Sequence, residues 1–502
     1  MELSKDGKVL IYAPSDYKGE FVVPAGVTTI DCHAFYHREI TNVILPDSLT
    51  TIENHAFQSS QIEEIDIPGS VQSIGADAFA YCKKLKKVTL HEGLKKISDG
   101  AFIDCAITEL VIPKSVTSIG LSFYGSPISR FIVEDGNPVY DSRGNCNAII
   151  ETETNMLIAG SNKVVIPPTV KSLAHKAIWT CTELEDIFIP ASVTKIGEDV
   201  FGCCPGLKRM VVEEGNPVYD SRGNCNAIIE SHTDKLIAGC SQTIIPLSVR
   251  SIGDYAFEFC HSLHEITIPD NVIEIGEHAF FGCHYLKRVQ LSENLKHLSC
   301  SAFGDCLILE DIMLPNGLES IGSNAFGMCK KLDHLSIPSS VKSIGHNFCN
   351  GSGIKHLTIP ENVSEIHPMF GEALESIEVS RNNVTYDSRN NCRAIIETAS
   401  DTLIAGCLNT RIPKSVKHIG ERAFEGTRRR SITIPEGVIS IGKNAFACCD
   451  KLRKLSLPSS LQFLGKDFIW DNYRIEVFIP AGQKRRFIRM GMKDLQYHLV
   501  EK

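Results

Sequence analysis

No part of the 502-residue chain holds an apolar run long enough to cross a membrane, and the opening Met1–Lys8 is polar. The sequence therefore predicts neither a signal peptide nor a transmembrane segment. Charge of a single sign is missing too. Lys and Arg number 51 against 60 Asp and Glu, a net of -9, which argues against a general nucleic-acid binder because phosphates need a basic face. Catalytic motifs are absent as well: there is no His-Glu-x-x-His, no Walker loop and no nucleophile elbow. Catalysis needs a few non-equivalent groups converging on one point, whereas nearly every polar residue here sits in a repeating slot. The expectation is a protein that is not an enzyme and takes no cofactor.

What the chain has is a period. An Ile-Pro-like step recurs at Pro24, Pro46, Pro68, Pro113, Pro167, Pro190, Pro246, Pro269, Pro315, Pro338, Pro360, Pro413, Pro435, Pro458 and Pro480, with His91 and Ser292 filling the same slot. Neighbouring slots lie 22 or 23 residues apart, as from Pro338 to Pro360 and from Pro246 to Pro269. A fixed period of this size marks stacked coils sharing one continuous core. Within a coil, Val88 and Leu90 alternate with Lys87 and Thr89 at the two-residue period of a strand, which the following proline slot ends. A second extended piece, Val71 to Ile74, follows the next proline, and Ala78-Phe79 opens a turn or short helical bend that closes on Cys82.

The 19 cysteines first read as a disulfide scaffold, yet Cys82, Cys105, Cys181, Cys204, Cys260, Cys283, Cys306, Cys329 and Cys449 share one slot, three residues after the repeat's phenylalanine position. Such a column reads as small buried hydrophobes, with parallel side chains and an odd total. Reduced structural thiols are expected, and the pairs Cys203-Cys204 and Cys448-Cys449 read the same way.

Three wider gaps hold near-copies of one insert, Asn137-Pro138-Val139-Tyr140-Asp141-Ser142-Arg143, Asn216 to Arg222 and Asn383 to Arg389. Each continues to an Ile-Ala-Gly run, so we predict a β-hairpin in which Ala148–Glu151 pairs with Leu157–Ala159. Residues 1–20, with an Asp6-Gly7 turn, form an N-terminal half-module or cap; 21–480 form the solenoid, with inserts at about 132–165, 211–244 and 378–411; 481–502 form a C-terminal cap. That last stretch reads as helical from Lys484 through Leu495 and Leu499.

The Ile-Pro-x-Ser-Val-x-x-Ile-Gly-x-x-Ala-Phe-x-x-Cys-x-x-Leu pattern, running from about Phe21 to Pro480, resembles the BspA-like class of leucine-rich repeats. The resemblance implies a β-rich α/β solenoid, its 22–23-residue repeats stacked into one curved right-handed superhelix with three β-hairpin inserts. It also implies display on, or secretion from, a bacterial cell as an adhesin or host-interaction protein. The alternative is an intracellular scaffold or regulator, which the missing export signal and the thiols would suit. A third, weaker reading is a polysaccharide or metal-dependent binder using the insert loops.

No paired ligand spacing supports a metal, since His261, His264, His278, His284 and His297 read as scattered surface histidines. Tyr140–Asn145 could offer oxygen ligands but reads as turn chemistry. Arg428–Arg430 and Lys484–Arg486 read as solvated faces. The candidate surface is the outward side of the strands. If Val88 and Leu90 point in, the exposed slots include Lys87, Asp186, Phe188, Arg288, Asp311, Met313, His334 and His356. Mixed charges there suit a protein partner and no polyanion. Phe188 and Met313 stand out as large apolar groups. A monomer that binds protein, and no nucleic acid, is the expected form.

Overall fold

The structure, a computed structural model, describes residues 1–368, 373–472, 474–492 and 498–502. It divides into two compact units, Met1–Thr233 with Ile237–Thr243, and Asp234–Leu236 with Ile244–Lys502. Each unit is a stack of β coils.

In the first unit, Gly19–Val22, Ile40–Ile44, Glu64–Ile67 and Lys87–Leu90 form a four-stranded parallel sheet. The predicted alternation holds, with Val88 and Leu90 buried while Lys87 is exposed. Strands such as Glu64–Ile67 and Asp186–Ile189 stop at the residue before proline, which has no N–H for the ladder. A second parallel ladder is made of two-residue strands: Thr29–Ile30, Thr51–Ile52, Ser73–Ile74, Lys96–Ile97 and Ser118–Ile119. The strand is shorter than the Val71–Ile74 piece predicted, because the Val71 N–H turns back to the Pro68 carbonyl at 3.0 Å. The second unit repeats both ladders, for example through Glu265–Thr267, Arg288–Gln290 and Asp311–Ile312.

The Ala-Phe corner is a run of turns, not a helical bend. Asp77 and Tyr81 adopt φ of 52° and 61°, a left-handed conformation. Through these turns the N–H groups of Asp77, Phe79 and Tyr81 reach the Asp99, Ala101 and Ile103 carbonyls of the next coil. The corner is thus a third ladder between coils. Beneath it the phenylalanines stack: Phe35–Phe57, Phe57–Phe79 and Phe79–Phe102 have centroids 4.4, 4.8 and 5.3 Å apart. In the second unit Phe257–Phe280 and Phe280–Phe303 lie at 4.8 and 5.1 Å.

The cysteine column has its own bond. The Cys82 thiol donates to the Phe57 carbonyl at 3.0 Å, Cys283 to Phe257 at 3.1 Å and Cys329 to Phe303 at 3.1 Å, each reaching one coil back. All 19 cysteines are free thiols. Burial pushes Cys82 up to about 11 and Cys329 up to about 12, so both remain protonated donors near neutrality.

At the first insert, Ala148–Glu151 pairs antiparallel with Met156–Gly160, Ile149 opposite Ala159 and Ile150 opposite Leu157 across a bulge. Met156–Gly160 then joins the short ladder parallel to Ser172–Leu173. The third insert keeps this register, Ile395 opposite Ala405 and Ile396 opposite Leu403. The N-terminal segment enters in the same way. Glu2–Leu3 folds antiparallel on Val9–Tyr12, and Val9–Tyr12 runs parallel to Thr29–Ile30.

The C-terminal helix is much shorter than predicted. It covers Lys484–Phe487 and passes into a π turn, Ile488–Met492, where Gly491 at φ 113° breaks the helical path. Leu495 lies outside the described residues. Leu499 belongs not to a helix but to the strand Leu499–Glu501, parallel to Glu476–Ile479, whose edge would otherwise leave its backbone groups unpaired. Phe487 and Met492 bury the apolar side of the turn. Among the described residues, this segment and three short 3₁₀ turns are all the helix there is, so the α component of the expected α/β solenoid is marginal.

Candidate functional site

All eight predicted surface residues lie on the exposed side of their coils, since each alternates with a buried neighbour in the strand pattern. In the first unit, Lys87 is in register with Glu64 and Asp186 with Arg209. Phe188 is 51% exposed and in register with Val211. In the second unit, Arg288 and Asp311 face each other across neighbouring strands. Met313 is 79% exposed, with polar Gln290 and Ser336 in the same slot of the coils before and after it. His334 holds its neighbour Asp333 at 2.6 Å, which keeps the Asp333 carboxyl below its ordinary range. His356 is in register with Ser376.

Two depressions mark the outward face of the first unit. One, of about 740 Å³, has a mixed lining that includes Asn42, Glu64, Asp66, Lys87 and His91 beside Val43, Ile44 and Leu45. His91 occupies a proline slot and reaches back to Asp66 at 2.6 Å. The other, of about 290 Å³, is lined by Val164, Val165, Ile166, Ile187, Phe188 and Val211, with Asp186 and Arg209 beside them. Val165 and Val211 were missed in the sequence. Val165 stands two residues before Pro167, as Phe188 stands two before Pro190, but the preceding insert hides its coil. Val211 belongs to a coil without proline in that slot, and only its register with Phe188 reveals it.

The insert motif is committed to holding the fold. Asn137 Nδ2 donates to the Pro113 and Val116 carbonyls, while its Oδ1 accepts from the Val139 and Tyr140 N–H groups. Asn216 and Asn383 repeat all four bonds. The Tyr140 hydroxyl accepts from the Ile119 N–H, and Ser142 Oγ from the Val133 N–H. Asp141 is clamped by Arg143 through bonds of 2.8 and 2.5 Å. A cation at this loop would have to displace an arginine that already neutralises the carboxylate. At Asp220, burial pushes the carboxyl up, but bonds from Arg222 and Ser231 outweigh it and hold the group below its ordinary value.

Three histidines read as scattered surface groups are partly buried instead. His261 and His284 stack with centroids 4.5 Å apart, His284 meets Asp305 at 2.9 Å, and His278 sits over Phe281 at 4.9 Å. Burial, then the nearby His284, lowers the His261 pKa. The periodic corner brings successive coils' rings together, so residues 23 apart stack side by side. His264 and His297 are exposed as predicted. Among the described residues, no group of three or more His, Cys, Asp or Glu could hold a metal ion, and no helix is long and apolar enough to cross a membrane.

Comparison with known families matches the BspA type leucine-rich-repeat region, in six copies, over residues 16–128, 154–223, 250–376 and 405–482. No curated protein matches. Among solved structures, the chain is similar to a leucine-rich cell surface protein from Faecalibacterium prausnitzii, with 28% identity, a TM-score of 0.44, and coverage of 56% of this chain and 74% of that one. A leucine-rich-repeat protein from Eubacterium ventriosum has 20% identity and a TM-score of 0.36, covering 67% of this chain and 77% of its own. One from Bacteroides ovatus has 22% identity and a TM-score of 0.31, covering 72% and 92%.

Proposed function

The chain belongs to the BspA-type leucine-rich-repeat family, and from that premise we propose that it is a non-enzymatic, protein-binding scaffold displayed on or secreted from a bacterial cell, where it engages a host or partner-cell protein. One observation carries the reading. The core positions of the coils repeat, while the outward strand slots change from coil to coil, from Lys87 to Asp186 to Arg288 to His356. A ladder that holds its backbone rigid while varying its exposed side chains presents a broad surface suited to another protein, with affinity gathered over several coils. In this reading residues 21–480 are the scaffold, and the flanking segments cover strand edges.

The 19 free thiols favour a second reading, an intracellular scaffold binding its partner through the same face, because such thiols persist best in reducing surroundings. Protease treatment of intact cells separates the two. Loss of this protein while an abundant cytosolic protein survives is the expected result; survival of both would overturn surface display in favour of the intracellular scaffold.

A further inference from the structure

We propose that the outward face of the last coils before the C-terminal segment, around Arg430 and Lys454, docks a short acidic segment of a protein partner, extended across the strands. This rests on the protein-binding reading and adds the chemistry of the partner.

Charge is not spread evenly along this chain. Residues 411–502 hold 19 Lys and Arg against nine Asp and Glu, whereas the rest holds 32 against 51. The excess gathers at the entry to two strands. Other basic runs that enter a strand face acids on the neighbouring coil. Lys208 and Arg209 lie beside Glu185 and Asp186, with Lys208 on Glu185 at 3.4 Å. Lys287 and Arg288 lie beside Glu310 and Asp311, with Lys287 on Glu310 at 3.3 Å. Arg428–Arg430, which lead into the strand Ser431–Thr433, meet Lys451, Arg453 and Lys454 of the next coil instead. The two runs adjoin directly, since the Arg453 and Lys454 N–H groups both bond the Arg430 carbonyl, at 2.9 and 3.2 Å. Like charges on adjoining strands repel, and an anion laid across both runs removes the repulsion.

The acids nearby do not cancel it. Glu425 is held by Arg422 at 3.6 Å, and Glu436 accepts the Ser459 and Ser460 N–H groups. Asp450 adjoins Lys451, Glu476 is in register with Lys454, and Asp471 is matched in the same coil by Arg474. Two acids thus stand against six cations. Arg429 is committed to the Thr410 carbonyl. Among the described residues, Arg430, Lys451, Arg453 and Lys454 have no carboxylate within ion-pair distance.

A short protein segment suits this face better than a longer polyanion. Adjacent coils lie about 4.8 Å apart, so the coils from Arg411 to Arg474 span about 14 Å, the reach of roughly four or five extended residues. Beyond them, residues 244–410 of the same unit hold 20 acids against 11 cations, which repel a polyanion that runs on. Nucleobases find no free ring to stack on. The outward slots among these cations are Ser431, Thr433 and Ser456, and Phe478 on the next strand lies under the Lys502 ammonium at 3.6 Å. Guanidinium forks pair with carboxylates, which is how arginine clusters hold acidic motifs.

The test uses the full chain and three fluorescein-labelled probes of matched length, read by fluorescence anisotropy: blocked pentaglutamate, blocked pentalysine and an oligothymidylate of equal negative charge. Pentaglutamate is expected to bind at least about tenfold more tightly than either other probe, with affinity falling as salt is added. Arg430→Ser with Lys454→Ser should weaken it about tenfold at an unchanged or higher melting temperature, because like charges are removed. Lys84→Ser with Lys87→Ser, in a coil whose cations face Glu63 and Glu64, should leave binding unchanged. If the first double variant disturbs the fold, Lys451→Ser tests the same face. No binding of pentaglutamate, tighter binding of the oligothymidylate, equal loss in the Lys84 and Lys87 control, or full binding by the face variants would overturn the proposal. Such a failure would leave the wider reading standing if proteolysis of intact cells still found the protein outside.

Discussion

The corner of a coil and the outward face of its strand lie within the same 22 or 23 residues, yet they follow opposite rules. Phe280 is stacked between Phe257 and Phe303, and the Cys283 thiol bonds one coil back, so each corner residue must fit a copy of itself on both sides. Only repetition satisfies that. On the outward face, Arg288 and Asp311 need only keep their backbone in the ladder, and their side chains are free to differ. Repetition along this chain marks what packs, and variation marks what faces outward. The inserts complicate the rule: Asn137, Tyr140 and Arg143 look like a ligand loop because they are polar and repeated, but they repeat for the same reason the phenylalanines do.

The contrast can be broken most severely at the stack. Phe303→Ala should cost about 3–5 kcal/mol, because it opens a cavity between two neighbouring rings, and urea unfolding would read it. A loss under about 1 kcal/mol would mean the column is not the core of the corner. Next comes Asn383→Ala, which strands the Thr385 and Tyr386 N–H groups and the Pro360 and Val363 carbonyls; a loss of about 2–3 kcal/mol in the same assay is expected.

Alkali probes the thiol column. The folded Cys329 thiol is raised to about 12 from an ordinary 9.0, so the folded state keeps a proton that the unfolded chain gives up. The stability linked to it is complete below pH 9 and falls by about 1.4 kcal/mol per pH unit between 9 and 12. Cys329→Ala should flatten the alkaline limb of a stability–pH curve, and an unaltered limb would show that the thiol is not a buried donor. The smallest effect belongs to the face. Met313→Asp should change stability by no more than about 0.5 kcal/mol, since the side chain is exposed, and a larger loss in urea unfolding would show that it packs against its neighbours.

Much of this was legible before the fold was seen. The proline period placed the strands, and the two-residue alternation correctly faced all eight surface residues. Two kinds of information were not legible. Val165, Phe188 and Val211 are 23 residues apart in sequence and become one depression only through the register of neighbouring coils. Likewise, nothing in the spacing of His261 and His284 announces that their rings stack at 4.5 Å.

The sequence by itself determined the coil: its length, its strand, its buried phenylalanine and thiol, and its outward slots, all of them set by local pattern within one period. Only the tertiary structure decided what each coil does to the next. It turned cysteines into donors for the preceding coil, committed the insert's asparagine and arginine to the scaffold, and replaced the end of a predicted helix with the Leu499–Glu501 strand. The reason is that one coil cannot satisfy its own backbone hydrogen bonds or bury its own core; both are completed by its neighbours, across distances along the chain that no local pattern spans.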